Sequence, residues 1–76
     1  MTDKPVSYYM DLPYQIVITP DDEGYGVHLP DLPGCHTHAE RWEDIQRMIR
    51  EAMSLWLTIM IEDGKEIPEP KPQPTA

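Results

Sequence analysis

Residues Gly24 to Cys35 read Gly-Tyr-Gly-Val-His-Leu-Pro-Asp-Leu-Pro-Gly-Cys. Tyr25, Val27 and Leu29 alternate with Gly26 and His28, the two-residue period of a half-buried strand. Pro30-Asp31-Leu32-Pro33-Gly34 ends that strand, because proline lacks an N–H donor and holds φ fixed. A second extended run starts at Cys35, so the stretch reads strand, structured turn, strand.

Working outward, Tyr14–Thr19 is the clearest strand on the N-terminal side. Tyr14, Ile16 and Ile18 point one way and Gln15, Val17 and Thr19 the other. Pro20-Asp21-Asp22-Glu23-Gly24 has turn composition and joins it to Gly24–Leu29 as a β-hairpin with a loop of about four residues. Cys35–Ala39 is the third antiparallel strand. Ser7–Leu12 is expected as a short edge strand, a fourth, or as an irregular segment against the sheet.

From about Glu40 to Glu62 the period changes. Trp42, Ile45, Ile49, Ala52, Met53, Trp56 and Met60 recur at three- and four-residue spacing, a helix stripe in which both tryptophans take core positions. Glu40, Glu43 and Asp44 suit its first turns and Gly64 its C-terminal cap. The fold class is therefore α+β: a three- or four-stranded antiparallel sheet on one long helix, in β-β-β-α order. Residues 1–6 form an N-terminal arm, 7–66 the domain and 67–76 an extended, proline-rich tail.

The chain has 76 residues, enough for one small domain. A single cysteine rules out an intrachain disulfide and fits a reducing, cytoplasmic compartment. No apolar run approaches a membrane span. Six basic residues face fourteen acidic ones, a formal charge of -8, which repels nucleic acid and attracts a basic protein.

The second half of the helix is apolar nearly all round, and one sheet covers only one helix face. Leu55, Leu57, Met60 and Ile61 are therefore assigned to self-association as a homodimer or higher homo-oligomer. The competing arrangement folds the tail and Tyr8–Leu12 back over that surface.

His36 and His38 share a strand face and His28 lies on the neighbouring strand, so these three are candidates to begin a metal site. Without a Cys-x-x-Cys or His-Glu-x-x-His pattern the expectation is no metal and no cofactor. Cys35 reads as a small buried core residue, since His36 points to the opposite face and makes a poor base for a thiol nucleophile. Asp21-Asp22-Glu23 reads as a solvated turn.

Several blocks together resemble the HicB antitoxin family. They are Tyr8-Tyr9-Met10-Asp11-Leu12-Pro13-Tyr14, Gly24-Tyr25, Leu29–Cys35, Arg50–Met53 with Leu55-Trp56-Leu57, and Glu62-Asp63-Gly64 with Ile67-Pro68-Glu69-Pro70. The resemblance implies a partial ribonuclease-H-like fold and a non-enzymatic antitoxin that covers a small basic HicA-type ribonuclease toxin. Asp21, Asp22, Glu23, Asp31 and Leu32, with the exposed sheet face, are the expected partner contacts. The strands carry no interior carboxylates of the kind that metal-dependent hydrolysis requires. Where the family commonly has Gly-Asp-Thr before the helix, this chain has Ala39-Glu40-Arg41, so the helix start is expected to shift or weaken. Family members often continue into a DNA-binding domain beyond the Ile-Pro-Glu-Pro block. This sequence ends at Ala76, so no direct DNA binding is expected. The alternative is a stand-alone protein-, ligand- or metal-binding module without a toxin partner.

Overall fold

The computed structural model describes residues 4–70. A short helix α1 (Val6–Met10) precedes three strands, β1 (Val17–Asp21), β2 (Gly24–His28) and β3 (His36–Ala39). One 3-10 turn (Trp42–Asp44) then leads into the long helix α2 (Ile45–Glu62). The sheet is antiparallel in the order β1-β2-β3, with β2 central.

The hairpin is tighter than its composition suggests. Asp21 pairs with Gly24 and Pro20 with Tyr25, so only Asp22 and Glu23 remain in the loop. The Asp21 carboxylate accepts the Glu23 N–H at 2.8 Å and closes the turn. Gly24 has φ of 140°, and a Cβ there would stand 2.3 Å from the Ala39 carbonyl oxygen. Glycine is thus required both by dihedral and by the approach of β3. The strand expected over Tyr14–Thr19 accordingly runs later, Val17–Asp21, because the turn sets the register.

The inner sheet face carries Tyr25, Val27, Leu29, Cys35 and Ala39, on which Ile45, Ile49, Met53 and Leu57 of α2 close the core. Cys35 is buried there, as read from the sequence. Among described residues 4–70 there is no fourth strand. The Ser7–Leu12 segment is instead helical at Val6–Met10 and packs on α2, burying Tyr9.

The start of the long helix differs as well. Arg41 is extended, and Asp44 makes no side-chain cap hydrogen bond. Without a capping hydroxyl the chain manages one 3-10 turn before α2 proper begins at Ile45. That turn rotates Trp42 off the helix stripe. It is 63% exposed rather than part of the core, its ring set edge-on to Tyr25 at 5.6 Å. The other helix end follows expectation. Gly64 has φ of 68°, its N–H bonds the Ile61 carbonyl, and Lys65 N–H bonds that of Met60, a Schellman cap.

Beyond the cap the chain turns back. Ile67 is buried, so the core extends one residue into the segment expected as tail. The Tyr14 hydroxyl donates to the Pro68 carbonyl. Lys4 reaches the Glu69 carboxylate at 3.1 Å and lies over the Tyr8 ring, while the Tyr8 hydroxyl reaches the same carboxylate. These contacts tie α1, which packs on α2, to the post-helix segment. The rest of the expected arm and tail, 1–3 and 71–76, lies outside the described residues.

Candidate functional site

The partner-contact residues expected from sequence do not form one surface. Asp21, Asp22 and Glu23 sit at the start of β2, whereas Asp31 and Leu32 follow its other end. Five strand residues separate the two loops by about 17 Å at ~3.3 Å per residue. Leu32 is also 0% exposed, so its assignment as a partner contact is corrected. It anchors the Pro30–Gly34 loop from within: Leu32 N–H bonds the Leu29 carbonyl and the Leu32 carbonyl accepts the Cys35 N–H. The Trp56 indole N–H donates to the Pro33 carbonyl from above.

The hairpin end is different. Gly24 packs on Ala39 and Glu40, and Tyr25 on Trp42, so the turn and the 3-10 segment become neighbours. Asp21, Asp22, Glu23, Glu40, Glu43 and Asp44 therefore gather at one end of the molecule. Their nearby cations are few. Arg47 bonds Asp44 at 3.5 Å and Glu51 at 3.7 Å, and Arg41 is exposed. Beside the acids, Ile16, Ile18, Trp42, Ile45 and Ile49 line an apolar groove between β1 and α2, with Glu43 on its rim. Trp42 is a surface residue, although its helical spacing assigns it to the core. The missing hydroxyl cap at Ala39-Glu40-Arg41 was the signal that could have moved it.

On the outer sheet face His28 stands directly opposite His36 across β2 and β3, both exposed. His38 Nε2 meets Asp21 at 3.2 Å from two strands away. Gly26 lies between them, opposite both Thr19 and His38, and leaves the space open. The Asp21 carboxyl is held below its ordinary pKa, first by the Glu23 backbone N–H and then by His38. Among the described residues no three His, Cys, Asp or Glu side chains converge as metal ligands. His28, His36 and His38 thus share a face, while His38 is engaged by Asp21.

The self-association residues also separate. Leu57 is 0% exposed and belongs to the core, which corrects its assignment to a subunit contact. Met60 and Ile61 are half-buried and packed against the core. Leu55 is 64% exposed, and Ile59, which the sequence did not single out, is 45% exposed.

Residues 14–75 match the family described as the HicB-like antitoxin of bacterial toxin-antitoxin systems. The chain belongs to the HicB-like antitoxin family. A UPF0150 protein of Archaeoglobus fulgidus is 40% identical over 57 residues, covering 71% of this chain and 83% of that one. A protein from the rep-hol intergenic region of Haemophilus phage HP1 is 34% identical over 59 residues, 78% of this chain but 44% of its own length. Among solved structures, a chain of the HicA3–HicB3 toxin-antitoxin complex superposes with a TM-score of 0.72 at 28% identity, covering 80% of this chain and 71% of that one. The HicB3 antitoxin crystal structure gives 0.70 at 28% identity, covering 80% of this chain and 45% of that one. The three-stranded sheet with its long helix is thus the HicB-like arrangement. Among the described residues no helix is long and apolar enough to cross a membrane.

Proposed function

We infer that this chain is a non-catalytic antitoxin that binds and neutralises a basic HicA-type toxin through its hairpin end. The observation that carries the reading is its likeness to a chain of a HicA–HicB complex. The surface chemistry supports the same partner. A ribonuclease must present cations to phosphates, and the acidic end offers carboxylates to those cations. The groove beside it adds what charge alone lacks. Trp42 is a large, exposed aromatic seated next to apolar residues, the residue type that dominates interface energetics when a partner buries it. An Arg side chain of the partner would find a carboxylate and an aromatic face together.

In this reading Asp22, Glu23, Glu40 and Glu43 steer the encounter, and Trp42 supplies the anchor. Asp31 sits too far along β2 to share that contact. No catalytic step is assigned to this chain. The test is calorimetric titration of the chain with a HicA-type toxin encoded in the adjacent reading frame, over a range of salt concentrations. Tight binding at low salt that weakens as salt rises is expected. No heat and no co-elution at low salt would overturn the reading.

A further inference from the structure

We propose that the free edge of β3, together with the exposed stripe of α2 beside it, is the seam of a symmetric homodimer whose two sheets join into one of six strands. The proposal concerns the opposite edge of the sheet from β1 and does not depend on the toxin reading.

The backbone supplies the first half of the argument. Leu29 N–H donates to the Cys35 carbonyl, so Tyr25, Val27 and Leu29 are the β2-side residues that bond toward β3, through Ala39, Thr37 and Cys35. Antiparallel pairing alternates, and the intervening His36 and His38 therefore turn their N–H and C=O groups away from β2. No proline or lysine interrupts this edge. The other edge is blunted. Pro20 lies opposite Tyr25, a residue that bonds toward β3, so the donor that Pro20 lacks is one that would have faced outward from β1.

The helix supplies the second half. Met48, Ala52, Leu55 and Ile59 are spaced four, three and four residues apart and form one stripe. Met48 lines a cleft with His38 and Ala39, while Ala52, Leu55 and Ile59 line one with Cys35 and His36. The stripe thus runs along β3 from one end to the other, antiparallel to it, with Leu55 and Ile59 its most exposed members. A strand added to β3 would find backbone partners at the edge and apolar cover from the helix.

Symmetry and charge favour a second copy as the occupant. A two-fold axis through Thr37 sets His36 against the partner's His38 and His38 against the partner's His36. Both pairs then exchange N–H and C=O, which uses every outward group of the strand. The same axis keeps both copies of α2 on one side of the joined sheet, stripe toward stripe. Next to Leu55 the helix carries Arg47, Arg50 and Glu51. That mixed-sign flank can meet its own copy, whereas the acidic hairpin end would repel it and suits a basic partner instead.

Multi-angle light scattering of the isolated chain tests the proposal. The wild type is expected at about twice 8.8 kDa at micromolar concentration. His36→Pro removes a donor that faces only the edge, and Leu55→Arg charges the stripe at an exposed position. Each is expected to halve the mass while the circular dichroism melt stays cooperative. Amide hydrogen exchange on the wild type guards against a misfolded variant: His36 and His38 N–H should exchange more slowly as concentration rises. A wild type that is monomeric at about 1 mM overturns the seam. So does a dimer that survives either folded variant, or exchange at both histidines that ignores concentration. None of these readouts involves a toxin, so failure of toxin binding leaves the seam intact and failure of the seam leaves the antitoxin reading intact.

Discussion

The two edges of this small sheet do opposite things with the same backbone. At β1, Pro20 removes an outward donor, and the apolar groove beside the strand, lined by Ile16, Ile18 and Trp42, carries Glu43 on its rim. At β3 the donors are intact, and the neighbouring helix stripe ends in Leu55 and Ile59 beside charges of both signs. An edge without donors leaves side-chain chemistry to choose the partner. An edge with donors offers main-chain pairing, which any extended strand can meet, so symmetry and flanking charge choose the partner. On the two proposals above, a face for a foreign basic protein is separate from a face for self-association, although the net charge of -8 alone would suggest one undifferentiated acidic surface.

The largest expected effect calibrates the comparison and belongs to neither edge. Leu57→Ala empties a fully buried site and should cost about 3 kcal/mol in urea unfolding, within the usual range for core leucines. Leu55→Ala, two residues away, should change stability by less than about 0.5 kcal/mol when measured in the His36→Pro background. A comparable loss at both positions would mean that the stripe is core and not a docking surface.

Trp42→Ala separates the edges functionally. Toxin affinity should fall by about 2 kcal/mol, roughly thirtyfold, with the scattering mass unchanged. Loss of the dimer in this variant would show that one surface serves both purposes.

The hydrogen bond that ties the post-helix segment to Tyr14 should respond to alkali. Burial pushes the Tyr14 pKa up to about 12, above the ~10 of a free phenol. The protonated hydroxyl is the form that donates to Pro68. A raised folded-state pKa stabilises fully below about pH 10, and that contribution is lost as pH rises toward 12. Tyr14→Phe should cost about 1 kcal/mol at pH 7 and flatten the alkaline decline in a melting series. An unchanged decline would place its origin elsewhere.

The smallest effect is the sharpest test of the edges. Pro20→Ala restores the outward donor of β1 and should destabilise by only about 0.5 kcal/mol. Its expected signature is association beyond the dimer in light scattering at high concentration. If the variant stays dimeric, the proline is not what keeps β1 from pairing.

Much of the fold was legible because it rests on local periods. Alternation turns Tyr25, Val27 and Leu29 inward, where they are half-buried or buried; Cys35 lies in the core and Gly64 caps the helix. The candidate site was less legible. The same Pro-Asp-Asp-Glu-Gly composition fits a four-residue or a two-residue loop, and only pairing of Pro20 and Asp21 selected the shorter one. Trp42 fits the helical spacing in a list of residues. One uncapped turn changes its phase, and that phase decides between core and surface. Asp31 and Asp22 look close in a chain of this length, yet a strand holds them at opposite ends of the sheet.

By itself, the sequence determined the order of strands and helix, the hairpin, the helix stop and the acidic character, because alternation, prolines, glycines and charge act over a few residues. Tertiary structure alone decided which side of an almost uniformly apolar helix stays bare. Leu55 and Leu57 are two residues apart and equally greasy. What distinguishes them is where the sheet, α1 and the segment through Ile67 come to rest, and those are contacts between parts of the chain too far apart for any local pattern to encode.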